Sequence, residues 1–279
     1  MAAQRSAVKT NVITPPSRAL DLDLWELWSY RELLYFLTWR DIKVKYKQTI
    51  IGAAWAVVQP LVTMVVYTVV FGEIAGLSTS GIPGPVFYFS GLVLWIYFAN
   101  SLGAATNALV NNQALITKIF FPRILLPFSS VVSGLVDFVI AFVILIGLML
   151  VYDVTPSLTI LMVPVFVLLT TLTALGVGLW LSSLNAVWRD VKHGVPFLIQ
   201  IWMFASLVVF AKEHVPQGFR WIVNANPMAA IIEGFRWSLT GTGDPPDAGL
   251  LLAAGVVGLL MLTGVYFFNR TETVVVDVV

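Results

Sequence analysis

Cysteine is absent from this 279-residue chain, and charged residues are scarce at 11%. The absence of cysteine excludes disulfides, thiolate metal sites and cysteine nucleophiles. Soluble domains carry about 25% charged residues, whereas this chain is 58% hydrophobic and has a mean hydropathy of +0.88. Such a composition cannot cover a water-facing surface, so the chain is predicted to be an integral membrane protein.

Catalytic and nucleotide-binding motifs are absent as well. The sequence contains no P-loop (G-x-x-x-x-G-K-[ST]), no G-x-S-x-G and no H-E-x-x-H. Its two histidines, His193 and His214, are too few for a multi-histidine metal cluster within one copy. A net charge of +1 gives no overall field that would attract nucleic acid. We therefore predict no catalytic residue, metal or cofactor on this chain, and any energy for its work has to come from a partner.

Long apolar runs make up most of the sequence, and a helix needs about 20 such residues to cross the hydrocarbon core. We predict an all-α integral membrane protein with six transmembrane helices per subunit. The predicted spans are 50–72, 86–110, 124–152, 157–183, 195–211 and 248–268, of which the fifth is short. The predicted organisation is a flexible cytoplasmic segment (1–23), an amphipathic helix with a basic junction (24–49), a transmembrane domain (50–268) and a cytoplasmic tail (269–279).

Lysine and arginine are distributed unevenly between the two sides of this topology. Of the 16 basic residues, 13 fall on the side of the N-terminal segment, and the opposite loops hold only Lys212, Arg220 and Arg236. The side rich in Lys and Arg faces the cytoplasm. Both termini are therefore predicted to be cytoplasmic.

Residues 24–39, "LWELWSYRELLYFLTW", are rich in tryptophan and leucine and precede the first span. Tryptophan favours the headgroup region, so we expect a helix that lies in the cytoplasmic interface. A soluble amphipathic helix packed on the bundle is the alternative. The junction that follows, "RDIKVKYKQT", carries Lys43, Lys45 and Lys47, which fix topology and attract anionic headgroups at about 1 kcal/mol each.

The loop between spans five and six, roughly 212–247, contains a further helix signal. Asn226 is a good N-cap and Pro227 suits the first helical position, and glycines at 241 and 243 can end the helix. About 13 residues are too few to cross a bilayer, so we predict a re-entrant or interfacial helix on the outer side. Glu233 and Arg236 lie three residues apart and are expected to pair.

Span one carries a polar and aromatic stripe with a period of four residues, which places its members on one helix face. Such a stripe suits a pathway for polar, flat-faced molecules such as sugars; a helix–helix interface with polar contacts is the alternative. Span two continues the theme. The predicted channel-lining residues are Trp55, Gln59, Thr63, Tyr67, Phe71, Tyr88, Trp95 and Tyr97.

Asp137 is the one carboxylate near the middle of a predicted span. An ionised carboxylate there is costly, so it should be protonated, paired or facing water. A proton relay would need a second acid or base at similar depth, and none is visible. The pattern favours a structural hydrogen bond, although the role of Asp137 stays open.

Two loops on the predicted cytoplasmic side carry helix-forming residues with a charged face. They are "NNQALITKIFFPR", residues 111–123, and "LNAVWRDVKH", residues 184–193. Each can dock into a groove on a soluble partner. The alternative is that they merely connect spans and set orientation.

Four stretches together resemble one family: "VKYKQTIIGAAWAVVQPLVTMVVYTVVFG", "KIFFPRILLPFSSVVSGLVDF", "LNAVWRDVKHGVPFLIQIWMFAS" and "NPMAAIIEGFRWSL". The chain resembles, over about residues 30–272, the permease subunit of ABC-type polysaccharide exporters, which export O-antigen, capsule and teichoic acid in bacteria. One departure is that relatives often carry Pro after the Ser of the fifth span, where this chain has Leu207 after Ser206.

The resemblance implies a homodimer in the bacterial inner membrane with two separate ABC ATPase subunits, which bind ATP and Mg. It implies export of a polysaccharide linked to a polyprenyl (di)phosphate lipid. Lys43, Lys45 and Lys47 would then lie where a lipid phosphate enters, a role ranked below the topological one. The residues implied in ATPase coupling are Asn111, Gln113, Leu115, Lys118, Phe120, Phe121, Arg123, Arg189 and Asp190. A permease for drugs or simple lipids and a membrane glycosyl- or acyltransferase are the alternative functions.

Overall fold

The computed structural model describes residues 28–47, 52–242 and 245–278. Within these ranges every regular element is helical, which confirms the all-α prediction. The helices are α1 (Arg31–Lys47), α2 (Gly52–Tyr67), α3 (Gly84–Asn111), α4 (Gln113–Ile116), α5 (Leu125–Val151), α6 (Val163–Val187), α7 (Val191–Ala205), α8 (Arg220–Ala225), α9 (Pro227–Thr240) and α10 (Ala248–Val278). A π-helical segment, Thr68–Ile74, extends α2, and a 3₁₀ turn, Leu158–Met162, precedes α6. The segment 1–23 and the predicted start of the interfacial helix at residue 24 lie outside the described residues.

Five helices in the described ranges are long and apolar enough to cross a membrane. They cover Val57–Ile74, Gly84–Asn111, Leu125–Val151, Leu158–Val187 and Ala248–Thr271. These five correspond to the predicted spans one, two, three, four and six. The chain is therefore a multi-pass membrane protein built from helices.

The prediction of a continuous fifth spanning helix over 195–211 is wrong. Helix α7 has 15 residues and ends at Ala205, which gives about 22 Å of length at 1.5 Å per residue, less than the hydrocarbon core of about 30 Å. Leu207 adopts the left-handed conformation with φ 56°, and a residue in that conformation does not continue an α-helix. Side chains of α9 hold the segment that follows, as described below.

Helix α3 occupies the centre of the bundle. Of the residues in its most apolar membrane-spanning stretch, 78% are buried, against 11% in that of α2. Helix α3 packs against α5 and α6. Small residues allow the close approach of neighbouring helices: a Cβ on Gly178 would lie 2.8 Å from Cβ of Ala105, and one on Gly176 would lie 2.9 Å from the carbonyl carbon of Leu260. These contacts draw α3, α6 and α10 together.

Hydrogen bonds between loops and helix ends define one end of the bundle. The amide of Asn185 donates to the carbonyl of Thr106 at 3.1 Å and to Oδ1 of Asn107 at 3.3 Å, and its oxygen accepts from the backbone N–H of Lys192 at 3.2 Å. The loops 112–124 and 188–190 lie at this end. We refer to it as the basic end.

The other end, referred to as the opposite end, is formed by the loops 75–83, 152–162 and 206–219. There the hydroxyl of Ser80 donates to the Glu213 carboxylate at 2.9 Å, and the hydroxyl of Thr159 donates to the Ser238 carbonyl at 2.9 Å. Because Lys192 lies at the basic end and Glu213 at the opposite end, the chain between them traverses the bundle. This traverse is helical only as far as Ala205.

The helix predicted after Asn226 is present as α9, with 14 residues and Gly241 at its C-cap with φ 67°. The Asn226 side chain accepts from the N–H of Met228 at 3.1 Å, as expected of an N-cap. Most of α9 is buried in the bundle. The predicted pair between Glu233 and Arg236 is wrong: Glu233 pairs with Lys212 at 3.4 Å, and Arg236 is buried among backbone carbonyls.

Candidate functional site

A polar cavity of about 130 Å³ lies between α1, α2, α3 and α5. It brings together residues that the sequence places far apart. The members that carry polar groups or rings are Lys45, Tyr46, Trp55, Gln59, Tyr97, Asn100 and Asp137. Of the two predicted sets, the lipid-phosphate set contributes one member and the channel-lining set contributes three.

Asp137 is the charged centre of this cavity. Its residue is buried, and its carboxylate accepts hydrogen bonds from the Lys45 ammonium and the Tyr46 hydroxyl, both on α1. The hydrogen-bonded role that the sequence favoured for Asp137 is therefore present, but the partners lie some 90 positions earlier in the chain.

Tyr46 acts as a neutral donor in this arrangement. Burial, and then the hydrogen bond to Asp137, raise the pKa of Tyr46 well above its ordinary value. The hydroxyl therefore keeps its proton throughout the neutral range. Asp137 is held by one cation and one neutral donor.

Two amides in the cavity are available to a ligand. The side chains of Gln59 and Asn100 form no hydrogen bond with another part of the described chain, and both residues are exposed. Trp55 on the same rim is 58% exposed. Amides donate and accept hydrogen bonds, and an exposed indole can stack on a flat apolar face. The cavity can thus hold a polar ligand with one flat face.

The predicted stripe of α2 divides into two parts. Trp55 and Gln59 line the cavity, whereas Tyr67 and Phe71 form an aromatic cluster with ring centroids 5.4 Å apart. Tyr67 also lies 6.3 Å from the ring of Tyr88 and donates to the sulfur of Met203 on α7 at 3.7 Å. The outer part of the stripe therefore packs against α3 and α7.

The polar groups or rings of the remaining predicted channel residues contact other parts of the protein. The hydroxyl of Thr63 donates to the carbonyl of Gln59 at 2.9 Å within its own helix. Trp95 is 3% exposed and packs 5.2 Å from Phe98. Tyr97 lines the cavity, but its hydroxyl bonds that of Thr171 at 2.8 Å.

The three lysines of the basic junction have different surroundings. Lys45 reaches Asp137, whereas the ammonium of Lys43 lies 5.3 Å from the centroid of the Trp39 ring, and Lys47 is exposed. The lysine with access to the cavity is therefore already engaged by a carboxylate. Sequence reasoning treated the three as one set because their alternation with apolar residues carries no information about α5.

The basic end exposes large apolar side chains beside cations. Phe120 is 67% exposed and Trp188 is 62% exposed, while Phe121 is buried and anchors the loop. Within the loop 112–124 only the four residues of α4 are helical. Of the other residues implied in coupling, Asn111, Lys118, Arg189 and Asp190 are exposed, and Gln113, Leu115 and Arg123 are half-buried. Trp188 was missed from that set, although its position inside "LNAVWRDVKH" was a signal.

A multi-pass helical bundle with a cavity that carries polar groups, and with exposed aromatic side chains at one end, is compatible with the membrane subunit of a transporter. Residues 32–240 match the ABC-2 type transporter family, and the chain belongs to this family. This match confirms the family resemblance of the four stretches. It also confirms that the chain is a transport subunit rather than an enzyme; such permeases bind no cofactor themselves and work with an ABC ATPase partner.

Individual relatives cover most of the chain. It is 31% identical over 240 residues to the O-antigen export system permease protein RfbA of Myxococcus xanthus, which is 85% of this chain and 91% of that protein. It is 28% identical over 244 residues to the O-antigen export system permease protein RfbA of Klebsiella pneumoniae, 86% of this chain and 92% of the relative. It is 23% identical over 202 residues to the polysialic acid transport protein KpsM of Escherichia coli, and the aligned part covers 70% of this chain and 76% of that protein.

Proposed function

We propose that this chain is the permease subunit of an ATP-driven exporter that carries a polysaccharide on a polyprenyl (di)phosphate lipid from the cytoplasm to the outer side of the bacterial inner membrane. The observation that carries the proposal is the similarity to O-antigen export permeases along nearly their whole length. A polar cavity with free amides and an exposed indole supports a sugar-bearing cargo.

The basic end is proposed to face the cytoplasm. It holds Lys118, Arg123, Arg189 and Lys192, and an excess of Lys and Arg marks the cytoplasmic side. With the traverse from Lys192 to Glu213 counted, the chain crosses six times and both termini are cytoplasmic. Helix α1 then lies in the cytoplasmic interface, in agreement with its exposed Phe36 and Trp39.

A homodimer with two ATPase subunits is the proposed assembly. Helices α2 and α7 expose apolar side chains such as Val62, Val65, Phe197 and Ile201, and we assign the second copy to this surface. The ATPase is assigned to the basic end. There Phe120 and Trp188 offer aromatic anchors of the kind that dominate binding energy at protein interfaces.

The ATPase surface can be tested with one matched pair of variants. Phe120→Asp should abolish co-purification with the partner ATPase, because a charge replaces an exposed anchor. Phe219→Asp is the control, since Phe219 is 61% exposed but lies at the opposite end. Equal retention of the ATPase by both variants would remove the basic end from the proposal.

The cavity around Asp137 is proposed as the place where the cargo is loaded. Gln59 and Asn100 would bind sugar hydroxyls, Trp55 would stack on a sugar ring, and Lys45 would exchange Asp137 for the lipid phosphate. The exchange is supported by the exposure of the Lys45 side chain, which is 49% accessible while that of Asp137 is 11% accessible. The outer part of the stripe, Tyr67 and Phe71, would then follow along the path.

Reconstitution tests the function as a whole. The chain and its partner ATPase are placed in proteoliposomes, and ATP hydrolysis is measured with lipid-linked glycans, with drugs and with simple phospholipids. We expect stimulation by lipid-linked glycans alone, and no nucleotide binding by the chain without its partner. Stimulation only by drugs or phospholipids would contradict the proposed cargo. Turnover of substrate without the ATPase would contradict the transport role.

A further inference from the structure

Asn226 connects the end of α7 to the start of α9 through four hydrogen bonds of its side-chain amide. Its nitrogen donates to the carbonyl of Ala205 at 2.9 Å and to the hydroxyl of Ser206 at 2.9 Å. Its oxygen accepts from the indole of Trp202 at 2.9 Å and from the N–H of Met228 at 3.1 Å. An Asn side chain has two donors and two acceptor sites, so Asn226 has no capacity left for another partner.

Arg236 on α9 holds the next residues of the same segment. Its guanidinium donates to the carbonyls of Leu207 at 2.7 Å, Val208 at 2.9 Å and Phe87 at 3.3 Å, and lies 3.8 Å from the ring centroid of Phe87. Leu207 and Val208 directly follow the end of α7 at Ala205, and a cation close to a helix C-terminus is favourable. Burial lowers the pKa of Arg236 to about 9, which still leaves it charged at neutral pH.

A glycine on α3 makes room for this contact. A Cβ on Gly91 would lie 2.5 Å from Nη2 of Arg236, closer than non-bonded atoms approach, and 3.3 Å from the carbonyl oxygen of Val208. The same segment borders a cavity of about 320 Å³ at the opposite end, lined among others by Leu207, Ala211 and Arg236. Leu207 therefore forms part of the wall of an opening.

We propose that Asn226 and Arg236 are positioning residues that keep 206–210 non-helical beside this opening and thereby set the outer end of the transport path. The helix that precedes the segment contains neither glycine nor proline near its end. It stops at Ala205, whose carbonyl accepts from Asn226, and Arg236 binds the carbonyl of Leu207 two residues further on. The assignment to the outer end rests on the proposed function. The conformation of the segment does not, and the two are measured separately.

The chain contains no cysteine, so a single reporter can be introduced directly. Val209→Cys places a thiol at a position that is 1% exposed, and its labelling by a membrane-impermeant maleimide is followed in membranes without transport. Asn226→Asp keeps the acceptor oxygens but loses both donors to the end of α7. Labelling should rise about tenfold, the order expected for losing one or two buried hydrogen bonds. Asp247→Asn is the control. It makes the opposite exchange of acid and amide at the residue before α10, whose side chain accepts from the N–H of Gly249 at 2.8 Å, and it should leave labelling unchanged.

A second variant disturbs Arg236 without changing a residue of the contact. Gly91→Ala should raise labelling in the same direction, whereas Gly103→Ala on the same helix, where a Cβ meets open space, should not. Arg236→Lys removes the atom nearest to the new Cβ, so its effect should not add to that of Gly91→Ala. Purely structural damage at two independent sites would add, and that result would overturn the proposal.

Unchanged labelling in both Asn226→Asp and Gly91→Ala would also overturn it, as would an equal rise in the two controls. Export is measured in parallel per folded molecule and should fall in the two test variants only. Absence of glycan export by the unmodified chain would contradict the proposed function instead, while the labelling results would still decide on the positioning role.

Discussion

Asp137 and Arg236 are both buried ionisable side chains, but their surroundings stabilise them in different ways. Asp137 is paired with two side chains of α1, and the cation among them, Lys45, is half exposed beside a cavity. Arg236 is paired with three backbone carbonyls and a ring, all of them fixed by the bundle. A ligand can reach and replace an exposed partner more easily than a buried one. This difference is the basis on which we propose exchange for the first region and positioning for the second.

The largest effect on stability is expected at Arg236. Arg236→Met leaves three carbonyls without their donor, and each unsatisfied group costs about 1–3 kcal/mol, so the free energy of unfolding should fall by about 3 kcal/mol or more. Arg220→Met is the control, because Arg220 is exposed and donates only to Val215 at 3.4 Å. Unfolding of the detergent-solubilised protein measures both. Equal losses would remove the distinction between fixed and exposed contacts.

A smaller loss of stability with a clear loss of export is expected at Lys45. Lys45→Met leaves the buried Asp137 with Tyr46 alone. Because Lys45 itself is half exposed, we expect a loss of only about 1 kcal/mol. Export per folded molecule should fall about tenfold, the equivalent of 1.4 kcal/mol. Lys43→Met removes an equal charge from an exposed site that contacts Trp39, and should leave export within twofold, near the limit for exposed sites. Similar export by the two variants would show that position in the cavity is irrelevant.

A double change separates the two consequences of breaking that pair. In Lys45→Met with Asp137→Asn no unpaired charge remains, so stability should return to within about 0.5 kcal/mol of the unmodified chain. Export should stay low, since the exchangeable cation is still missing. If export recovers together with stability, the pair is structural only. Arg236 has no equivalent double change, because its partners are backbone groups.

The smallest effect is expected at Trp55. Trp55→Ala removes an exposed ring, so the free energy of unfolding should change by less than about 0.5 kcal/mol. Loss of stacking should lower export two- to tenfold, which corresponds to about 0.5–1.5 kcal/mol. Trp221→Ala is the control, since Trp221 is 68% exposed on α8 and outside the cavity. Unchanged polymer at the cell surface would exclude a role for Trp55 in the path.

Five of the six predicted spans could be read from the sequence because each is a long apolar run. The length of such a run decides whether a helix can cross the membrane. The end of α7 could not be read in this way, because Asn226, which binds the carbonyl of Ala205, and Arg236, which binds that of Leu207, follow 20 to 30 residues later. The left-handed backbone of Leu207, which prevents the helix from continuing, carries no signal in the sequence because leucine is not a typical helix-ending residue.

The sequence indicated some of the residues that line the cavity, but not which of them contact one another. Period-four spacing placed Trp55 and Gln59 on one face, and the cavity contains both. The same spacing could not reveal that Tyr67 and Phe71 pack against neighbouring helices. Nor could it reveal that Lys45 meets Asp137, since pairing between residues 92 positions apart depends on the path of α1 across α5.

The most direct test locks α1 to α5 in the assembled exporter. In the cysteine-free chain, Asp41→Cys on α1 and Ser129→Cys on α5 replace two side chains that lie 3.3 Å apart and leave Lys45 and Asp137 unchanged. The two thiols are joined by a short, reducible bifunctional reagent in proteoliposomes with the partner ATPase. ATP hydrolysis stimulated by a lipid-linked glycan is then measured before and after reduction, with each single variant treated alike. The account predicts that stimulation is lower in the locked protein than in either single variant and rises when the link is reduced. Equal stimulation of the locked and the reduced protein would contradict loading through this cavity.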